Sequence, residues 1–183
     1  MLIKFVATCL TAQQEQACQT QGIDVIHNYA RAYGEITEGC VTDFSVHCFN
    51  STTLEVLKFL GVTRATLHPE LNLAQIRDII KHINAEAIIY GKIPLMKLGS
   101  PISNGEITDR TGTGFPVKGD IIYNSVPIYM ADKLNDLRKS GITHGRLIFT
   151  TESPDEVQEI IKCYKQQKPP KTQFTRGKYY SKV

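Results

Sequence analysis

Between residues 43 and 96, three short apolar runs alternate with two segments of helical period. The first run, 44–49, ends in Asn50 and Ser51 and leads into an amphipathic stretch at 54–60. The second, 65–67, ends in His68-Pro69-Glu70-Leu71-Asn72. After it, Leu73, Ile76, Ile79, Ile80 and Ile83 recur at helical spacing. The third, 87–90, ends in Gly91-Lys92-Ile93-Pro94. Strands alternating with helices of this length predict βαβ units and a parallel sheet, with chemistry collecting where strands end and loops begin.

The same pattern extends both ways. Residues 2–8 and 23–26 predict strands, separated by a helix that Thr11 caps and Gly22 ends. Residues 28–39 are polar and without a period, a loop, and 41–49 is a third strand. Ser51 is the expected N-cap of the next helix, Gly61 its stop, and Asn72 the cap of the one after, which runs over 73–83. Residues 99–110 read as a loop, and 114–117 with 120–123 as a β-hairpin insertion. A helix over 131–140, a strand at 146–149 and a helix from Ser153-Pro154 to about 166 complete the chain before Lys168-Pro169-Pro170-Lys171 breaks it. The expectation is one α/β domain over 1–167, barrel-like and complete or incomplete, with a tail over 168–183.

The chain has 183 residues, enough for one domain with a real core. No apolar run approaches the ~20 residues that span a bilayer, and the first ten lack a signal peptide's long apolar region and cleavage site. A cytoplasmic protein without membrane contact is expected. Five scattered cysteines, none in CxxC spacing, read as reduced thiols rather than a disulfide framework. The net charge of +3 hides an asymmetry: seven basic and no acidic residues lie from Lys162 onward, and the remainder is net −4. In the tail, Lys171, Arg176, Lys178 and Tyr179 have the mix of cations and aromatics that suits RNA or a partner chain. The commoner arrangement is a solvated tail that packs its aromatics on the domain.

Strand alternation then asks which side chains share a face. Ser45 pairs with His47, Thr66 with His68, Ile88 with Tyr90 and Lys92, and Arg146 with Ile148 and Thr150. With helices on the aliphatic faces, His47, His68, Lys92 and Arg146 point into the barrel. Imidazoles and cations joined by Glu70 and Asn72 make an acid/base or anion site, while either histidine alone reads as an ordinary core residue. His47, His68 and Glu70 could hold zinc geometrically, although no tight ligand motif supports it. No nucleophile elbow or phosphate-binding glycine loop is present in the sequence.

Several of these runs, in order, resemble the collagenase-like peptidase family U thirty-two. They are Asp43-Phe44-Ser45-Val46-His47-Cys48-Phe49-Asn50-Ser51, His68-Pro69-Glu70-Leu71-Asn72 and Tyr90-Gly91-Lys92-Ile93-Pro94-Leu95-Met96. Thr108-Asp109-Arg110, Phe115-Pro116-Val117, Tyr123-Asn124-Ser125, the stretch 146–152 and the stretch 174–180 continue the series. The resemblance fits the latter part of the family's barrel and implies a TIM-like fold with parallel strands. It implies either proteolysis or, in members that bind an iron–sulfur cluster through cysteines, oxygen-independent hydroxylation of RNA bases or ubiquinone precursors. This chain carries Gly99-Ser100-Pro101 and Gly119-Asp120 where many members place those cysteines, so no cofactor is expected. Two family Asn/Ser positions are His47 and His68 here.

On this basis a hydrolase would use His68 or Glu70 as general base, with Arg146 or Lys92 at the oxyanion and His47 beside them. Asn50, Asn72, Lys92, Arg110 and Glu152 would bind a peptide or RNA-linked substrate. The alternative is a non-catalytic or RNA-associated partner of a larger homologue. A full eight-fold barrel usually takes ~200 residues or more, and an open barrel leaves an edge to cover, so a homo-oligomer or a partner chain is expected.

Overall fold

The computed structural model describes residues 2–80, 83–100, 102 and 105–182. The end of the expected helix over 73–83, parts of the 99–110 loop, and the last residue of the tail fall partly outside them.

Strands β1 (Lys4–Cys9), β2 (Asp24–Val25), β3 (Tyr29–Ala30), β4 (Val41–Thr42), β5 (Arg64–Thr66), β6 (Asn84–Gly91) and β12 (His144–Phe149) form one parallel sheet. Its order is β2-β1-β12-β6-β5-β4-β3, with short β11 (Ile128–Tyr129) antiparallel on the end of β6. The sheet curls into a partial barrel. Its two edge strands are joined by residues 26–28 alone, so one extended stretch pairs with β1 through β2 and with β4 through β3. The expected hairpin is larger than the sequence indicated. Strands β7 (Pro94–Lys97), β8 (Gly105–Thr108), β9 (Gly114–Lys118) and β10 (Ile121–Tyr123) make a four-stranded antiparallel sheet, ordered β7-β10-β9-β8.

The helices are α1 (Ala12–Thr20), α2 (Ser51–Phe59), α3 (Leu73–Ile79), α4 (Leu134–Lys139) and α5 (Pro154–Lys165). Thr11, Asn72 and Ser153 each cap their helix with a reciprocal Gln or Glu three residues on. The α2 cap is Asn50, one residue before the Ser51 expected, and its Oδ1 accepts from the Thr53 N–H at 2.8 Å. The apolar faces of these helices and the outward residues Ala7, Ala65, Ala87, Leu147 and Phe149 make up the core.

Of the expected third strand over 41–49, only Val41–Thr42 forms, as β4. After Thr42 the chain makes a 3₁₀ turn at Phe44–Val46, and His47 adopts a left-handed conformation at φ 57°. Asp43 starts that turn by accepting from the Phe44 N–H, a short-range bond that competes with the strand ladder. Alternation is lost there, so His47 is exposed rather than inward.

β6 also breaks alternation. Arg146 lies opposite Ile88 but Leu147 opposite Tyr90, an extra residue in β6. One extra residue flips every later side chain to the other face. Tyr90 therefore packs outward with Tyr129, Phe149 and Tyr164, not inward with Ile88 as alternation predicted. Two buried phenols satisfy the carbonyls at this point: Tyr179 donates to Ile88 O at 2.7 Å and Tyr164 to Ile89 O. Gly91 ends β6 at φ 128°, where a Cβ would run into the Ile148 carbonyl.

The stretch after α5 folds back onto the barrel. Thr175 exchanges backbone bonds with Pro127 and Tyr129, and Tyr179 O accepts from the Leu73 N–H.

Candidate functional site

The strand register puts Tyr29, Val41, Asp43, Arg64, Thr66, Glu86 and Arg146 on the concave face of the sheet. Glu86 is fully buried and is the hub. It accepts from Tyr29 OH at 2.9 Å and Thr66 Oγ1 at 3.0 Å. It also pairs with Arg64 Nε and Arg146 Nε, each at 2.9 Å. Both guanidinium contacts lie off the hydrogen-bonding line, so charge holds them rather than directional bonding. Arg146 Nη1 reaches Asp43 Oδ1 at 2.8 Å, and its guanidinium lies 4.0 Å from the Tyr29 ring centroid.

One buried cation, Arg146, and the part-buried Arg64 thus face two buried carboxylates. A lone charge here would be strongly disfavoured, and this balance is what makes the interior tolerable. Burial opposes the Arg146 charge, but Tyr29, Glu86 and Asp43 outweigh it and raise its pKa. Burial raises the Tyr29 phenol too, with Arg146 opposing and Glu86 adding to the rise.

Beyond this network, at the C-terminal ends of the strands, lies a cavity of about 370 Å³. Thr8, Cys9, Phe44, Arg146 and Thr150 line it, and Tyr123 of the antiparallel sheet closes one side. A second groove of about 510 Å³ shares Phe44 and Pro94 with it, and holds His68, Glu70, Leu95 and Lys178.

His68 sits just past β5 and lines the groove. Its ring centroid is 4.2 Å from Phe49 and 5.4 Å from His47. Its Nδ1 accepts from the Glu70 N–H at 3.4 Å, which leaves the neutral ring's proton on Nε2. Burial lowers the His68 pKa, Glu70 opposes this, and His47 adds to it. In its neutral form His68 is a donor from Nε2. Glu70, exposed beside it, is an acceptor.

The structure brings His68, Glu70 and Lys178 into one groove and leaves Arg146 in the neighbouring cavity. Of the four side chains expected to point inward, Arg146 does so and His47, exposed, does not. Lys92 lies beyond the end of β6 and donates to Thr151 Oγ1 at 3.3 Å. Asn50 and Asn72 cap helices, and Asn72 Nδ2 also ties down Ser181 O. Arg110 is exposed in the turn between β8 and β9, away from both cavities. Glu152 accepts from Tyr90 OH and from the Thr150 and Thr151 N–H groups, a role that fixes the end of β12.

The tail residues divide. Arg176 forms a bidentate pair with Asp132 at 2.6 and 2.9 Å, and Tyr179 is buried, so neither is presented to a nucleic acid. Lys171 is exposed and pairs with Glu159 at 3.1 Å. Lys178 is exposed at the groove.

The interior residues Tyr29, Asp43, Arg64 and Glu86 went unmarked in the sequence reading. Glu86 did carry a signal, as an acid between Ala85 and Ala87 in the most apolar strand, where it requires cations nearby. Tyr29 gave none, since its strand is two residues long.

Among the described residues, no group of three or more His, Cys, Asp or Glu side chains is arranged to hold a metal ion. Cys40, Cys48 and Cys163 lie on separate elements, Cys163 in α5. Among the described residues, no three cysteines are gathered where one chain could hold an iron–sulfur cluster. No described helix is long and apolar enough to cross a membrane. Comparison with family models, with curated proteins and with solved structures finds no match.

Proposed function

We propose that the chain is a reduced TIM-like barrel of the collagenase-like peptidase family U thirty-two, acting as a hydrolase in the groove beside the barrel mouth. What supports this reading is the pairing of His68 with Glu70. The Glu70 backbone fixes the ring through Nδ1 and leaves Nε2 as a donor, while burial keeps the imidazole neutral. Glu70 is then the base that activates water, and His68 Nε2–H stabilises the oxyanion or protonates the leaving group. The apolar walls Phe44, Pro94 and Leu95 suit an extended peptide. Lys178 adds a cation for its carboxylate.

The test is turnover of denatured collagen and mixed peptide substrates by the wild-type chain and by Glu70→Gln and His68→Ala. Loss of at least tenfold in kcat/KM in both variants, with unchanged folding, is expected. A confirmed activity untouched by both would end the hydrolase reading.

A second reading has its own support. Arg146, the cation expected at an oxyanion, is already engaged by Asp43 and Glu86. A barrel whose central cation is structural suits a non-catalytic partner of a larger homologue, with the groove as docking site. Co-purification with such a homologue, lost in Lys178→Glu, is the result that reading requires.

A further inference from the structure

We propose that Cys9 and Cys18 are a dithiol site that hydroperoxides oxidise to an intramolecular disulfide at the barrel mouth. Cys9 is the last residue of β1 and Cys18 lies in the second turn of α1. Their sulfurs are 3.6 Å apart. A disulfide bond is ~2.05 Å long, so about 1.5 Å of approach forms it. Cys9 is half-buried and lines the mouth cavity, whereas Cys18 is fully buried. One residue of the pair is therefore partly exposed, and the other waits behind it to resolve.

The chemistry balances with hydrogen peroxide, the simplest hydroperoxide, as the oxidant. The Cys18 contact and burial raise the Cys9 pKa while the same contact lowers that of Cys18, so Cys9 is the proton donor of the pair and passes its proton to the Cys18 sulfur as it attacks. The Cys9 sulfur bonds the peroxide oxygen, the O–O bond breaks, and the hydroxide that leaves takes that proton as water. The Cys18 sulfur then attacks the Cys9 sulfenic acid, the S–O bond breaks, and a second water leaves. Two thiols lose two electrons and two protons, and the peroxide is reduced to two waters. Proximity supports the pair further, because each thiol is the other's hydrogen-bond partner and one can stabilise the other's thiolate.

The remaining cysteines provide internal controls. Cys48 is buried, and burial, partly offset by Thr42, raises its thiol to about 11. Cys163 is on α5, and Cys40 just precedes β4. The site also has a mechanical link to its surroundings. Gln14, one turn before Cys18, accepts from the Leu10 and Thr11 N–H groups and donates to Glu152 O. Drawing Cys18 toward Cys9 pulls on the helix that holds both the β1 and β12 loops.

The experiment treats the full chain with stoichiometric hydrogen peroxide, then counts thiols in denaturant and maps the peptides. Two of the five thiols should disappear, in a single Cys9–Cys18 linked peptide that dithiothreitol restores. In Cys18→Ser, Cys9 should stop at sulfenic acid and be captured by dimedone. Should that variant fail to fold, Cys9→Ser, at the less buried position, should keep its four thiols under the same treatment. Five surviving thiols in the wild type, a link to Cys40, Cys48 or Cys163, or dimedone capture of wild-type Cys9 equal to that in Cys18→Ser would overturn the proposal.

Discussion

The barrel interior and the groove beside it hold the same kinds of side chain in opposite circumstances. Inside, Glu86 and Arg146 are almost wholly removed from water, and each is held by at least two partners. Outside, Glu70 is exposed, and His68 is held only by a 3.4 Å bond and stacked rings. A charge without water must be balanced by the fold, so its removal is a stability event. A charge at a groove wall is free to meet a substrate. The titratable groups with the richest contacts are therefore not the candidates for chemistry here.

The largest effect should come from the interior. Glu86→Ala leaves buried Arg146 with Asp43 as its one carboxylate and part-buried Arg64 without its Glu86 partner. Breaking a buried pair in this way costs about 3–5 kcal/mol, which urea unfolding would read as a large drop in midpoint. A variant as stable as wild type would mean the interior is wetter than its burial implies. Next comes the β6 irregularity. Tyr179→Phe strands the Ile88 carbonyl, and a buried unsatisfied group costs about 1–3 kcal/mol. A loss well under this in thermal unfolding would show that the tail does not seal that carbonyl.

The caps rank third. Asn72→Ala should cost about 1 kcal/mol through the loss of the α3 cap, somewhat more if the Ser181 anchor counts. Glu70→Ala should cost nothing measurable, since an exposed groove carboxylate has no buried partner.

The smallest effect is one of pH. His144 has its pKa lowered below 6.5 by burial and by Arg64, with Glu86 opposing. In the unfolded chain it protonates first as pH falls through about 6.5, so the folded state loses stability below that pH and is unaffected above it. His144→Gln should flatten the acid side of the stability profile slightly. A profile unchanged by that substitution would place His144 in contact with water.

How much of this was legible in the sequence depended on whether local rules survived tertiary packing. The run of helix and strand from α2 to β6 and the caps at Thr11, Asn72 and Ser153 were readable, because capping and helical period are local properties. The inward faces were readable only where a strand stayed regular. Arg146 on β12 followed alternation. His47 did not, because Asp43 starts a 3₁₀ turn in its place. Tyr90 did not, because one extra residue in β6 changed its face. No count along the chain reveals an extra residue that exists only relative to a neighbouring strand. Tyr29 was hidden for a related reason. Its strand of two residues exists through pairing with β4, which the sequence does not display. The tail's packing of Tyr179 matched the ordinary alternative to nucleic-acid contact, while Lys171 and Lys178 stayed exposed.

The most direct test of the division between interior and groove is urea unfolding of Glu86→Gln beside Glu70→Gln under identical conditions. Both substitutions remove one negative charge at nearly constant volume. A loss of several kcal/mol for Glu86→Gln, by the buried-pair magnitude, with Glu70→Gln indistinguishable from wild type, is the predicted result. Equal midpoints for the two variants would contradict it, and would mean that the buried network does not hold the barrel together.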